Sequence, residues 1–297
     1  MIPLPPLDGE HEQTPVPSPA FIEGMDDVVF VQLSNRHGYH AHAVQSDGAL
    51  WSLQPGAVAT PAGTAIHQVN DHWGQLITLN RMGELEDDQG MRIGDPGLKY
   101  REMVKHSTAV YAIDETGELH LLLPRESGAG TKLVDLERIP EFDVPIQSLS
   151  LGNSHALALL KDGSLISWGG NPGNVVSEQP ELREIRDIVG VSNSSFAIFG
   201  QGRVTGWGAG LNPRTKNPVL KRFLERLANI KDAEELFTFG EPPTFAIRHT
   251  GNRWSVLIFQ NQGGENSWRF EDEIAAQLEG CHFVTINENA IIGIFAE

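Results

Sequence analysis

The stretch Ile146-Gln-Ser-Leu-Ser-Leu-Gly-Asn-Ser-His-Ala-Leu-Ala-Leu-Leu-Lys-Asp-Gly-Ser-Leu-Ile-Ser-Trp-Gly-Gly-Asn171 reads as two strands joined by a tight turn. In Ala156-Leu157-Ala158-Leu159 a small residue alternates with leucine, the period of two expected for a strand with unlike faces. Asp162-Gly163 supplies the left-handed backbone of a short hairpin, Ser164 to Trp168 return as the partner strand, and Gly169-Gly170-Asn171 end the unit.

Worn copies of this unit recur along the chain. The hydrophobic-small-hydrophobic triplet appears around Ala43, Thr78, Ala112, Ala158, Ala197, Ala246 and Thr285, with centre-to-centre steps of 35, 34, 46, 39, 49 and 39 residues. Five residues after the central residue stands a turn glycine in six copies: Gly48, Gly83, Gly117, Gly163, Gly202 and Gly251. In the seventh the position is Ala290. A unit repeated at this period, constant inside and irregular between copies, is the mark of a ring or array of supersecondary units.

The fourth copy resembles a repeat of the regulator of chromosome condensation family, matching it in order at Gly152, His155, Leu157 to Leu159, Asp162-Gly163 and Trp168-Gly169. The fifth copy keeps Gly202 and Trp207-Gly208, and the first keeps His40, Asp47-Gly48 and Trp51. The resemblance implies an all-β fold, a seven-bladed β-propeller built from divergent repeats, whose radial repetition protects its sheet edges. It also implies one of two modes of action. Members similar to the chromatin regulator act as guanine-nucleotide exchange factors for small GTPases, and bacterial members similar to the type II β-lactamase inhibitory protein occlude an enzyme with one face of the ring. The compact steps look more like the second, and no functional residue of either is matched here.

A chain of 297 residues is compatible with one such ring, and the expected division is a proline-rich tail at 1–20 followed by a single propeller over 21–297. Pro3, Pro5, Pro6, Pro15, Pro17 and Pro19 disfavour a sheet in the tail. Val28 to Val31 are expected to enter the sheet, and closure of the ring calls for an N-terminal strand joined to the blade containing Val284 to Phe295. The 22 basic against 39 acidic residues give a net charge of -17, which opposes direct nucleic-acid binding and suits a basic protein partner, or serves solubility alone. Cys281 is the only cysteine, so no intrachain disulfide forms. No signal-like start and no run of about 20 apolar residues is present, so the expectation is a cytoplasmic protein without a membrane partner.

Two long connections interrupt the repeats. Residues 124–140 read as an exposed excursion. Near residues 218–229 a short helical insertion is expected, capped by Asn217 with Pro218 in its first turn, where Leu220, Phe223, Leu224 and Leu227 form one apolar stripe. Lys216, Lys221, Arg222 and Arg226 make it a basic island, and the stripe either packs on the rim or receives a partner.

No catalytic, cofactor or metal site is expected. Gly152-Asn153-Ser154-His155-Ala156 lacks the last glycine and the following helix of a nucleophile elbow, so Ser154 is explained by the repeat. His40, His155 and His282 are assigned equivalent repeat positions with structural roles, and His37, His40 and His42 lack further ligands at a recognised metal spacing. The glycines from Gly200 to Gly210 belong to turns of a β unit, not to a dinucleotide fingerprint. What remains is a rigid ring suited to protein binding, expected not to be an enzyme. Tyr39, Trp73, Tyr100, Trp268 and Phe270 are the candidate anchors, and the acidic runs Glu84-Leu85-Glu86-Asp87-Asp88 and Glu271-Asp272-Glu273 are candidate contacts for a basic target. The expected role is that of an inhibitor, immunity-type or adaptor protein, with nucleotide exchange as the alternative.

Overall fold

The structure, a computed structural model, describes residues 2–3, 27–33, 41–53, 60–72, 75–106, 109–122, 139–211, 213–239, 244–262, 265–286 and 290–295. Over these residues the strands form seven small antiparallel sheets, the blades of a propeller. Blade 1 holds Val28–Leu33, Ala41–Gln45, Leu50–Leu53 and Thr60–Gly63; blade 2 holds Ile66–His72, Gln75–Asn80, Leu85–Asp87 and Arg92–Ile93. Blade 3 holds Tyr100–His106, Ala109–Asp114 and Leu119–Leu122, and blade 4 holds Ile146–Leu151, His155–Leu160 and Leu165–Gly169. Blade 5 has Ile185–Val191, Ser194–Phe199 and Arg203–Gly208; blade 6 has Ala233–Phe239, Thr244–His249, Arg253–Gln262 and Glu265–Phe270. Blade 7 pairs Cys281–Ile286 with Ala290–Phe295 and takes its third strand from Ile2–Pro3. The first strand of each blade contacts that of the next, and the first strand of blade 7 contacts that of blade 1, so the ring closes.

Closure corrects two expectations. Ile2 and Pro3 pair with Ile291 and Ala290 although the stretch reads as a tail. Proline is tolerated there because the strand is at the sheet's edge, where a missing N–H costs nothing. Val28 to Val31 enter the sheet as expected, opening blade 1, and the N-terminal strand that closes the ring on blade 7 is Ile2–Pro3. The seventh repeat copy is also misplaced, since Thr285 lies on the first strand of blade 7 and Ala290 begins the second. Residue 290 begins the second strand rather than standing in the turn after it, and the blade's third strand comes from Ile2–Pro3, so the expected turn glycine has no place at that position. His282 therefore sits on a first strand and is not equivalent to His155, which begins a second strand.

The core lies between blades rather than within them, and this explains the alternation. In blade 4, Leu157 and Leu159 face blade 5 with Ile185, Ile188 and Ala197, whereas Ala156, Ala158 and Leu160 face blade 3 with Tyr111 and Ile113. In blades 3, 4 and 5 the second strand presents small residues, Ala112, Ala156 with Ala158, and Ala197, backwards to larger residues of the preceding blade. Blade 6 inverts the rule. Ile247 stands opposite Leu236 as Ala197 stands opposite Ile188, so the sixth copy is one residue out of register. Its Phe245 and Ile247 face blade 5, while Ala246 faces blade 7 together with Trp254, Ile274 and Leu278.

The space between blades 5 and 6 is filled by Phe196, Phe245 and Trp268 and covered by α1, Pro218–Ala228. Phe196 and Phe245 have ring centroids 4.0 Å apart, and the Trp268 ring meets Phe196 edge-on at 5.2 Å. Asn217 caps α1 by accepting from the amides of Val219 and Leu220, and Leu220, Phe223 and Leu227 are buried, which gives the rim-packing role to the apolar stripe. A second helix, α2 (Asp272–Gln277), follows blade 6 and buries Ile274; the acidic run at its start gave no helical pattern in the sequence. The insertion at 124–140 falls outside the described residues up to 138, after which Ile139, Phe142 and Val144 pack on the blade 3–4 core.

Adjacent blades are tied through the turn glycines. The carbonyls of Gly48, Gly83, Gly117 and Gly202 accept the amides of Ile66, Tyr100, Ile146 and Ala233, each the first residue of the next blade, at 2.8–3.0 Å. Near the central axis the first strand of every blade carries a bulge after its first residue. Beyond it, polar side chains reach the neighbouring blade. Gln68 brackets Met103, donating to its carbonyl at 2.8 Å and accepting from its amide at 3.0 Å, and Asp187 accepts from the Leu236 amide at 2.6 Å.

Candidate functional site

The anchors nominated from the sequence do not form one surface. Tyr39 and Trp73 lie outside the described residues. Tyr100 is buried between blades 2 and 3, with its ring edge-on to His120, and Trp268 is 1% exposed, so neither is a surface anchor. Large aromatic residues on these strands fill the space between blades, a choice the alternation alone does not reveal. Phe270 is half-buried against Phe223, and the Arg226 guanidinium lies 3.9 Å from its ring centroid. Glu86 and Asp87 are half-buried on blade 2, where Asp87 accepts the amides of Gln89 and Met91 and Asp88 is exposed at the turn. Glu271 pairs with Arg269, and Asp272 pairs with Arg226.

A different set of exposed carboxylates emerges from the topology. At one end of the ring, the residue after each second strand donates its amide to the residue before the first strand of its own blade: Ser46 to Asp27, Glu115 to Lys99, Lys161 to Pro145 and Gly200 to Glu184, at 2.8–3.0 Å. This repeated bond places Asp27, Asp47, Glu115, Asp162 and Glu184, all exposed, at one end of the ring, beside the cations Arg81, Lys99 and Lys161. None of the five has an ion-pair partner among the described residues. Hydrogen bonds from the Ser164 hydroxyl and amide hold the Asp162 carboxyl below its usual range, so it stays charged. Successive members lie 20 to 68 residues apart in the sequence, where none stands out in an acidic run.

The second polar feature is a cavity of about 400 Å³ between α1, blade 6 and α2. His249, the last residue of a second strand, holds Asp232 Oδ1 at 2.8 Å through Nδ1 and Ser255 Oγ at 2.9 Å through Nε2. Burial works against the Asp232 charge, but the bond to His249 and the charges of His249 and Arg253 outweigh it and hold that carboxyl below the usual range. An ionised carboxylate only accepts, so Nδ1 carries the proton, and in the neutral ring Nε2 accepts from the serine hydroxyl. Part of this arrangement recurs. Gln45 and Trp51 in blade 1, and Asp114 and His120 in blade 3, are linked across the same two strand positions, at 2.6 and 2.9 Å. In blade 6 the pair is extended by Asp232 and opens onto a cavity. Neither Asp232, His249 nor Ser255 is marked in the sequence, because no motif spacing connects them.

Asp114, Glu118 and His120 bring ligand-type atoms within 4.8 Å of one another. Burial opposes the Asp114 charge, yet bonds from Thr116, His120 and the amides of Glu118 and Thr116 pull its carboxyl down to about 2. Its oxygens are thus already committed to the turn and to His120. Toward the central axis, burial pushes the Asp187 carboxyl up to about 7 despite the Leu236 and Ile188 amides, helped by the nearby charges of Glu235 and Glu102. No helix among the described residues is long and apolar enough to cross a membrane.

Comparison with known proteins agrees with the ring. Residues 146–172 match the Regulator of chromosome condensation (RCC1) repeat. Prp20p from Saccharomyces cerevisiae superposes with a TM-score of 0.65 at 12% identity, over 91% of this chain and 83% of that one. Human WBSCR16 gives 0.62 at 12% identity, over 95% of this chain and 90% of its own. The ectodomain of the Physcomitrella patens receptor kinase CR4 gives 0.59 at 11% identity, over 89% and 69%. No curated protein matches the chain. In fold the chain is an RCC1-like β-propeller.

Proposed function

We propose that this propeller acts in the cytoplasm by binding a protein, and that the target presents a basic surface to the face carrying Asp27, Asp47, Glu115, Asp162 and Glu184. The observation that supports this reading is the gathering, at one end of a rigid ring, of five exposed carboxylates with no ion-pair partner among the described residues. Such a face attracts basic partners and repels phosphate backbones. A ring closed by its own strands loses little freedom on docking, which favours a broad interface. The yeast structure is described with binding to Gsp1p and histones, and a protein partner is the element of that description taken over here. The role that suits a one-to-one cover over a basic patch is that of an inhibitor, immunity-type or adaptor protein.

The test is affinity capture from lysate of the source organism with the natural chain and with Asp47→Lys/Glu115→Lys/Asp162→Lys. The expected result is a stoichiometric basic protein held by the natural chain, released by salt and lost from the variant. An unchanged set of captured proteins refutes the assignment of the face. Acceleration of nucleotide release from a captured GTPase at substoichiometric amounts replaces the covering role by exchange.

A further inference from the structure

We infer that the cavity beside blade 6 is an esterase site in which Ser255 is the nucleophile, His249 the general base and Asp232 the group that positions the base. This is a second role, independent of the acidic face. The three side chains form an unbroken chain, Asp232 Oδ1 to His249 Nδ1 at 2.8 Å and His249 Nε2 to Ser255 Oγ at 2.9 Å. That is the order and the choice of ring nitrogens that acyl transfer requires. His249 is 8% exposed on its side chain and lies between its two partners, so its orientation is fixed before any ligand arrives. Arg253 binds the second oxygen of Asp232 and restrains the carboxylate from the other side.

A cross-strand bond alone needs neither the Asp232 carboxylate nor open space. Here all three side chains line a cavity of about 400 Å³, within the usual range for small-ligand sites. Its wall combines Ile230, Trp254 and Ala275, an apolar seat for a short acyl chain, with Asn229 and Arg253, whose N–H groups supply donors for a developing oxyanion. The substrate class is therefore a small carboxylic ester.

The chemistry balances within the site and water. Ser255 Oγ bonds to the acyl carbon while its proton passes to His249 Nε2. The carbon–oxygen bond to the alcohol breaks, and the alcohol leaves with that proton. A water molecule then gives a proton to the same nitrogen and adds to the acyl carbon. Cleavage of the acyl–Oγ bond returns the proton to Ser255 and releases the acid.

The test uses the full chain with a fluorophosphonate probe and p-nitrophenyl butyrate. The expected result is one phosphonate per chain, located on Ser255 by peptide mass spectrometry, together with ester turnover. Both disappear in Ser255→Ala, while the circular dichroism melt stays close to the parent. His249→Gln should slow labelling about 100-fold or more, the usual contribution of a general base. Asp232→Asn serves as the second variant and should slow labelling as well, because the ring loses its acceptor and takes the wrong tautomer. Absence of label on Ser255 in the folded parent overturns the inference. So does equal labelling in a folded His249→Gln or Asp232→Asn chain, which leaves the three residues a purely structural bond.

Discussion

Alanine at the turn glycines of blades 4 and 5 separates the two reasons for glycine at that position. Gly163 has a φ of +83°, and a methyl group there meets nothing within 4 Å. Gly202 has a φ of +85°, but its methyl would stand 2.9 Å from both the backbone nitrogen and the carbonyl oxygen of Ala233, the first residue of blade 6. Gly163→Ala therefore meets only the left-handed backbone, about 1–2 kcal/mol, partly offset by a less flexible unfolded chain, roughly 0.4–1 kcal/mol. Gly202→Ala meets the same backbone strain and adds overpacking against another blade's main chain, about 1–3 kcal/mol. It also disturbs the 3.0 Å bond from the Ala233 amide to the Gly202 carbonyl, worth about 0.5–1.5 kcal/mol. The expected losses are about 1 kcal/mol for Gly163→Ala and about 3–5 kcal/mol for Gly202→Ala. Urea unfolding followed by circular dichroism reads both from the midpoints, provided the slopes match. Equal losses in the two variants would refute the claim that turn glycines join neighbouring blades.

Trp268→Ala should cost about 3–5 kcal/mol, because it empties the space between Phe196, Phe245 and Phe259, and a thermal melt will show the loss. Asn217→Ala removes the acceptor for the Val219 and Leu220 amides and should cost about 1 kcal/mol, read in the same way. Burial lifts the Asp187 carboxyl from 3.8 to about 7, so between those values the folded chain holds a proton that the unfolded chain has released. The stabilising contribution of the neutral acid is present below about pH 4 and is lost as pH rises through about 7. Stability of the parent should fall across that window, and the slope should flatten in Asp187→Asn; an identical slope in both chains removes Asp187 as its source.

The sequence by itself carried the architecture. Repetition of a strand, a left-handed turn and a returning strand is a local signal, set by alternation and by glycine's freedom at positive φ, and it survives divergence because each blade needs it. The helix over Pro218–Ala228 was legible for the same reason, through its cap and its spacing of apolar residues. What the local pattern did not hold was direction. Ala246 and Ala197 look alike in sequence but face opposite neighbours, because blade 6 is shifted by one residue, which turns Phe245 and Ile247 toward blade 5. Tyr100 and Trp268 were read as surface anchors for the same lack: whether a strand's aromatic points to solvent or to the next blade depends on that blade. Ring closure through Ile2–Pro3, the acidic face and the Asp232, His249 and Ser255 chain belong to the tertiary structure alone. Each joins residues whose separation along the chain follows from loop lengths, and a ring brings such residues together by geometry that no spacing in the sequence encodes.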